Sequence, residues 1–351
     1  MARSAVTLTY LVLGLTIFGL VMVGNASVVD AARDFGDKWY YFKLQAGWAA
    51  LGLIGFWLTS KFPHHHLAKW AKVGLVIVGT LLVAVLIPGV SSRIFGARRW
   101  INLGIFSFQP AELAKLVLII YWARLLQLKN NLFPFLISVG AIAGLIMLEP
   151  DLGTTIVLVT TAILMYFGSG AKLKQISLIL PVILAVGAGL ILISPYRRNR
   201  LMTYLDFTKD PQGASYHIRQ VLLSLGSGGV WGVGLGQSRQ KYEFLPEATT
   251  DSIFAVVGEE LGLIGTTAII LAFLALFWAG LKIAKSADND FSRNLALGLI
   301  GWITIQALVN TAAMVALVPL TGIPLPFISY GGSSLVIALV SCGILLNISR
   351  S

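Results

Sequence analysis

A carboxylate where a polar segment meets a long apolar run can act as a general base, because partial burial disfavours its charge and raises its pKa. Asp251 stands at such a junction, followed by Ser252 and the apolar run Ile253-Phe254-Ala255-Val256-Val257. A helix N-terminus at that point would act the other way and stabilise the anion. By pattern alone, capping the helix is the commoner use of an Asp in this position. The residues leading up to it, from Gly236 to Ser252, gather cations, amides and carboxylates, among them Gln240, Lys241 and Glu247. Glu259 and Glu260 follow, roughly 12 Å deeper along the same helix at ~1.5 Å per residue. Acids at that depth imply a polar interior.

Glu112 and Lys115 form a second candidate pair. Their i,i+3 spacing puts them on one helix face. They could cancel each other structurally, or Lys115 could face a polar cavity and meet an anion. Arg93, Arg98 and Arg99, beside Trp100, suit a phosphate group, since guanidinium forks bind its oxygens in pairs. Anchoring to lipid headgroups explains the same residues equally well. A further cationic run, Tyr196-Arg197-Arg198-Asn199-Arg200, opens the longest polar segment. Glu149-Pro150-Asp151 is a tight turn in which Asp151 reads as a helix cap. Ser329, Ser333 and Ser334 could donate hydrogen bonds to a ligand. His64-His65-His66 reads as a solvated loop, because adjacent histidines on a helix cannot all face one metal.

These groups must be held by elements that the composition largely defines. Of 351 residues, 57% are hydrophobic and only 12% charged, against about 25% charged in soluble domains. That excludes a soluble globular enzyme, a disordered chain and a disulfide scaffold. The apolar residues run unbroken, which excludes a β-barrel. Cys342 is the one cysteine, so there is neither an internal disulfide nor a cysteine metal cluster. The net charge of +11 is spread over short loops and points to lipid or phosphate rather than nucleic acid.

The expected fold is an all-α polytopic membrane protein, one domain over 1–351, with ten transmembrane helices. The spans are placed at about 6–27, 40–59, 68–88, 109–127, 131–148, 152–168, 175–194, 252–281, 293–318 and 330–348. The first is read as an uncleaved span rather than a signal peptide, because its apolar run is too long. With the N-terminus inside, the cytoplasmic segments hold twelve Lys and Arg and the short outer loops five. Both termini are therefore placed in the cytoplasm. The long loop between the seventh and eighth helices, about 195–250, then faces outward, with an interfacial helix over Tyr216–Leu225. Its glycine string follows no βαβ unit, so its glycines serve tight turns rather than a dinucleotide site. Pro319–Ser334, rich in Pro and Gly, should be a rigid outer loop that partly re-enters the membrane.

Five segments in order, GARRWINLG (96–104), QPAELAKL (109–116), EPDLGT (149–154), LPEATTDSIFAVVGEELG (245–262) and PLPFISYGGSS (324–334), resemble the SEDS family. This is the shape, elongation, division and sporulation group that contains RodA and FtsW. The wording of GQSRQKYEFLPEATTDSIF leans to the FtsW branch and that of TGIPLP to RodA; the FtsW-like branch is favoured. The resemblance implies a peptidoglycan glycosyltransferase of the bacterial cytoplasmic (inner) membrane. Such an enzyme polymerises lipid II at the outer face and releases undecaprenyl diphosphate, for division or elongation. It implies that Asp251 is the essential acid and that Glu112 and Lys115 line or support the central cavity. The implied partners are a class B penicillin-binding protein, which is a transpeptidase, and other divisome or elongasome proteins. Thr249 stands where family members often carry His, which leaves Asp251 untouched.

On this reading Asp251 takes the proton of an acceptor hydroxyl. Arg98, Arg99, Lys115, Arg197, Arg200 and Lys241 are candidates to stabilise the diphosphate leaving group, with Gln240, Glu247 and Ser333 as further substrate contacts. No cofactor is evident; a divalent cation, Mg or Mn, could share the work, although no ligand cluster demonstrates one. The competing expectations are a lipid II flippase and a non-catalytic scaffold of the division complex.

Overall fold

The computed structural model describes residues 2–94, 97–102, 104, 107–128, 132–170, 194–206, 215–242 and 244–350, with isolated positions 181, 187, 189 and 192. The chain is mostly helical. In order it forms α1 (Ala2–Ala26), α2 (Val28–Phe35), α3 (Tyr40–Lys61), α4 (His65–Leu86), β1 (Ser91–Ile94), β2 (Ala97–Asn102) and β3 (Ser107–Phe108). Then come α5 (Pro110–Gln127), α6 (Leu132–Leu148), α7 (Leu152–Gly168), α8 (Pro195–Leu205), α9 (Tyr216–Gly228), α10 (Ile253–Lys285), α11 (Asp290–Met314) and α12 (Gly332–Ile348).

Nine of the expected spans fall on described helices with ends shifted by a few residues. The segment expected over 175–194 falls outside the described residues apart from isolated positions, as do Lys172 and Lys174. Among the described residues, four helical segments are long and apolar enough to cross a membrane: 3–26, 65–86, 253–285 and 290–314. Of the apolar 18-residue stretch in the last of these, 78% is buried, against 22% in 65–86. That contrast makes α11 the axis of the bundle, and α10, α5 and α7 pack around it. On one flank, α12 lies along α3 at close range. A Cβ on Gly343 would sit 2.4 Å from the Phe56 carbonyl oxygen, so small residues set the approach of the two helices.

The structure corrects the all-helical expectation in the loop that carries the arginines. β1, β2 and β3 form a three-stranded antiparallel sheet in that order, pairing Ser92 with Trp100 and Ile101 with Phe108. Alternating side chains in Arg98-Arg99-Trp100-Ile101 suit a strand, since neighbours point to opposite faces. Helices α2 and α8 were likewise unanticipated, whereas α9 coincides with the expected interfacial helix.

His64 corrects the solvated-loop reading. It is buried, with its Nδ1 2.8 Å from Asn347 Oδ1 and its Nε2 2.6 Å from Ser292 Oγ. Because an amide oxygen only accepts, Nδ1 carries the proton and Nε2 accepts from the serine. Burial lowers its pKa, consistent with a neutral ring that ties the ends of α11 and α12 together.

α10 breaks at Gly262, where φ is +64°. The 228–234 turn fills the break. Val233 and Gly234 amides donate to the carbonyls of Glu259 and Glu260 at 2.9 and 3.0 Å. The Leu263 amide donates back to the Gly229 carbonyl at 2.9 Å. A Cβ on Gly232 would lie 2.1 Å from the Glu260 carbonyl oxygen. The glycine string therefore serves close backbone approach to a broken helix, beyond the surface turns expected of it.

Candidate active site

Asp251 lies just before α10, 8% exposed. It does not cap that helix: the N-cap is Ser252, and the first amides of α10 receive no side-chain bond. Among the described residues its carboxylate takes a hydrogen bond only from its own amide and a long one, 3.3 Å, from Thr250 Oγ1. Burial lifts its pKa to about 7 and the charge of Glu247 adds to the rise, while its own amide, Thr250 and Arg200 act against it. The cap that pattern favoured is thus absent, and a buried carboxyl with a raised pKa remains at the mouth of the bundle.

What Asp251 lacks in side-chain bonds its backbone has. The carbonyl of Thr249 accepts from the Tyr330 amide at 2.8 Å and that of Thr250 from Ser329 Oγ at 2.5 Å. The carbonyl of Asp251 accepts from Asn310 Nδ2 at 2.9 Å. Two of these donors belong to the 319–331 segment, which has no regular structure yet buries Ile323, Leu325, Phe327 and Ile328. Gln45 of α3 holds it from the other side, donating to the Ser329 carbonyl at 3.1 Å.

Glu247 is exposed and accepts from Thr250 Oγ1 at 2.7 Å. Arg200, also exposed, donates to the Leu320 carbonyl at 3.1 Å, and its charge reaches both Asp251 and His217. His217 sits 2.8 Å from Ser252 Oγ. Burial, and then Arg200, push its pKa down to about 4, so it is neutral. The side chain of Arg197 lies outside the described residues.

The other candidates are disposed differently. Arg99 donates to the carbonyls of Glu149 (3.1 Å) and Pro150, and lies 4.0 Å from Asp151. Arg98 donates to the Leu86 carbonyl at 3.3 Å. Asp151 caps α7 as read from sequence, accepting from the Thr154 amide at 3.0 Å. Glu149 is fully buried, and neither carboxylate oxygen has a partner among the described residues. Burial, then Asp151, raise its pKa to about 8 against the pull of Arg99. Ser333 Oγ accepts from the Gln109 amide at 3.2 Å and so is engaged at the start of α5.

Lys241 is not a free cation. Its Nζ reaches Glu260 Oε1 at 3.0 Å, Asn25 Oδ1 at 2.7 Å and the Gly236 carbonyl at 2.8 Å, and the residue is 4% exposed. Glu259 accepts from Ser238 Oγ at 2.5 Å and the Arg239 amide at 2.8 Å. These acids anchor the 236–241 loop to α10 and, through Asn25, to α1. Gln240 is half-buried; its amide faces Glu259, and its Oε1 has no partner among the described residues.

Lys115 is equally committed. Its Nζ lies 2.8 Å from Glu112 Oε1, 2.7 Å from Gln306 Oε1 and 5.0 Å from the centre of the Trp302 ring. Sequence reading passed over Gln306 and Asn310. The available signal was two amides one turn apart in a largely apolar helix, where polar groups demand partners. For a divalent cation at this mouth, the charges that reach Asp251 come from Glu247 and Arg200. No group of three His, Cys, Asp or Glu side chains gathers among the described residues.

Residues 5–351 match the family of FtsW, RodA and SpoVE, described as cell cycle protein. The stage V sporulation protein E of Bacillus subtilis (strain 168) is 41% identical over 351 residues, which cover 98% of this chain and 96% of that one. The probable peptidoglycan glycosyltransferase FtsW of Geobacter sp. (strain M18) is 40% identical, covering 95% and 94%. Among solved structures, a chain of a peptidoglycan synthase complex superposes with a TM-score of 0.80 at 27% identity, covering 98% and 96%. The rod shape determining protein RodA of Thermus thermophilus does so at 0.72 and 26% identity, covering 98% and 95%. Matched nearly end to end in both sequence and fold, this chain belongs to the FtsW, RodA and SpoVE family of cell cycle proteins.

Proposed function

We propose that this protein is a peptidoglycan glycosyltransferase that polymerises lipid II, with Asp251 as the general base. The relatives named as glycosyltransferases support the activity, and one observation supports the residue: a buried, uncapped carboxyl at the mouth of α10, with a pKa of about 7. The 4-hydroxyl of the acceptor sugar attacks the anomeric carbon of the donor. Asp251 accepts the hydroxyl proton, the bond from that carbon to the diphosphate oxygen breaks, and undecaprenyl diphosphate leaves. Arg200, whose charge reaches Asp251, is the cation we assign to the departing diphosphate. Arg98 and Arg99 take supporting positions on the β-sheet, and Arg197 belongs to the same cationic turn as Arg200.

The topology we assign is ten spans in one domain, 1–351, with both termini cytoplasmic and the 195–250 loop outside the bacterial cytoplasmic membrane. The excess of Lys and Arg on one side supports it. A class B penicillin-binding protein is the partner we assign, with the similarity to a peptidoglycan synthase complex in support. No step of this mechanism is routed through a metal.

The test is reconstitution of the purified chain, with its transpeptidase, on lipid II. Glycan polymer from the native protein and none from a folded Asp251→Asn variant is the expected result. Equal polymer from both removes Asp251 from the base role. Translocation of lipid II without polymer replaces the enzyme by a flippase.

A further inference from the structure

The Asp251 carboxyl is held in place by its backbone, and the grip on that backbone can be followed to a buried ion pair on another helix. Lys115 is 3% exposed. Its ammonium protons are directed at Glu112 Oε1 (2.8 Å), Gln306 Oε1 (2.7 Å) and the Trp302 ring. Gln306 Oε1 accepts a second bond, from Trp302 Nε1 at 3.0 Å. Two donors converging on this oxygen fix the amide's orientation, since the flipped amide would set its NH₂ against an ammonium and an indole N–H. Its Nε2 must then face the Pro324 carbonyl, which it meets at 2.9 Å.

One turn further along α11, Asn310 Nδ2 donates to the Ile323 carbonyl and to the Asp251 carbonyl, each at 2.9 Å. Residues 323 and 324 are thus held by two amides on one face of α11. The same segment returns through Ser329 and Tyr330 to hold the carbonyls of Thr250 and Thr249. Ser329 Oγ also accepts from the Leu325 amide at 2.8 Å, closing the segment on itself.

We propose that the Lys115–Glu112 ion pair does not touch substrate and instead positions Asp251, through Gln306 and Asn310 and the 319–331 segment they anchor. Gln306 and Asn310 are positioning residues. This deepens the glycosyltransferase reading and rests on it for the identity of the reaction.

The experiment is a double-mutant cycle on the purified complex with lipid II, using Lys115→Met, Gln306→Met and the pair together. A base misplaced by a fraction of an ångström costs turnover rather than binding, so each single change lowers kcat by roughly tenfold or more. KM for lipid II stays within about twofold, and the double variant is no slower than the slower single one, because both cut the same path. Gln306→Glu keeps the acceptor for Lys115 but removes the donor to Pro324, and it too loses kcat with the ion pair intact. A raised KM with unchanged kcat in Lys115→Met makes Lys115 a substrate cation and overturns the proposal. Effects that multiply in the double variant also overturn it.

Hydrogen exchange provides a readout that does not need activity. In Gln306→Met and Asn310→Leu, amides in 247–252 and 319–331 take up deuterium faster, while those of α3 and α12 do not. Unchanged uptake in those two segments overturns the positioning role. If the native complex makes no polymer, the glycosyltransferase reading fails and hydrogen exchange still decides the positioning.

Discussion

Replacing Asp251 by Asn separates catalysis from folding, because the two depend on this side chain in opposite directions. A general base contributes on the order of 10² to 10⁴ in rate, so lipid II polymerisation by the purified complex falls by at least about a hundredfold. Stability moves the other way. The folded protein holds the Asp251 proton up to about 7, against an ordinary value of 3.8. Between those values the native state binds more protons than the unfolded chain, so stability falls as pH rises from about 4 to about 7 and levels off above. The full shift corresponds to at most about 4 kcal/mol, which the Asn variant does not lose. The amide also removes the repulsion from Glu247, and its oxygen can still accept the long hydrogen bond, 3.3 Å, from Thr250 Oγ1. Thermal unfolding at pH 5 and pH 8 reads this directly: the variant's midpoint equals or exceeds the native one at pH 8, and the gap narrows at pH 5. The native rate rises with pH through about 7 and levels off once the base is ionised. A variant retaining more than a tenth of the native rate refutes the base assignment. So does a native rate that stays flat from pH 5.5 to 8.

Three further outcomes follow from the same geometry. Glu149, with its pKa raised to about 8 and no partner for its oxygens among the described residues, costs the fold stability as pH rises from about 4.5 to about 8. Glu149→Gln therefore melts higher than the native protein at pH 9 and equally at pH 4, and equal midpoints at pH 9 contradict the assignment. Lys241→Met strands Glu260 and costs about 3–5 kcal/mol; adding Glu260→Gln recovers part of the lost thermal midpoint, and no recovery would mean the two are not paired. Gly232→Ala forces a methyl to within 2.1 Å of a carbonyl oxygen at a φ of +80°, lowering stability by at least ~2 kcal/mol. Gly226→Ala, inside α9 with open space around it, does not lower the midpoint, since Ala is the better helix former.

Much of the helical frame was legible because apolar runs of span length have no alternative in a bilayer, where every backbone polar group must be satisfied within the segment. Periodicity also located α9, and an Asp at the start of an expected span identified the Asp151 cap. The sheet that carries Arg98 and Arg99 was not legible, because six residues of alternating pattern in a loop weigh little against the strong signal of the spans. His64 misled because its polarity suggested solvent, while its two partners, Asn347 and Ser292, come from 283 and 228 residues away.

The amino-acid order alone determined the class of molecule and the positions of most helices, since composition and the length of the apolar runs carry that information. It put Asp251 forward as the essential acid only through the family resemblance. It could not determine that Lys241 is tied to Glu260, that Asp251 leaves α10 uncapped, or that Lys115 meets the Gln306 amide as well as Glu112. Each of those is a choice among partners that lie far apart in the chain. Charged side chains alike in sequence, Lys115 and Lys241 against Arg200, acquire different roles only when packing decides which of them find a buried carboxylate and which remain at the mouth.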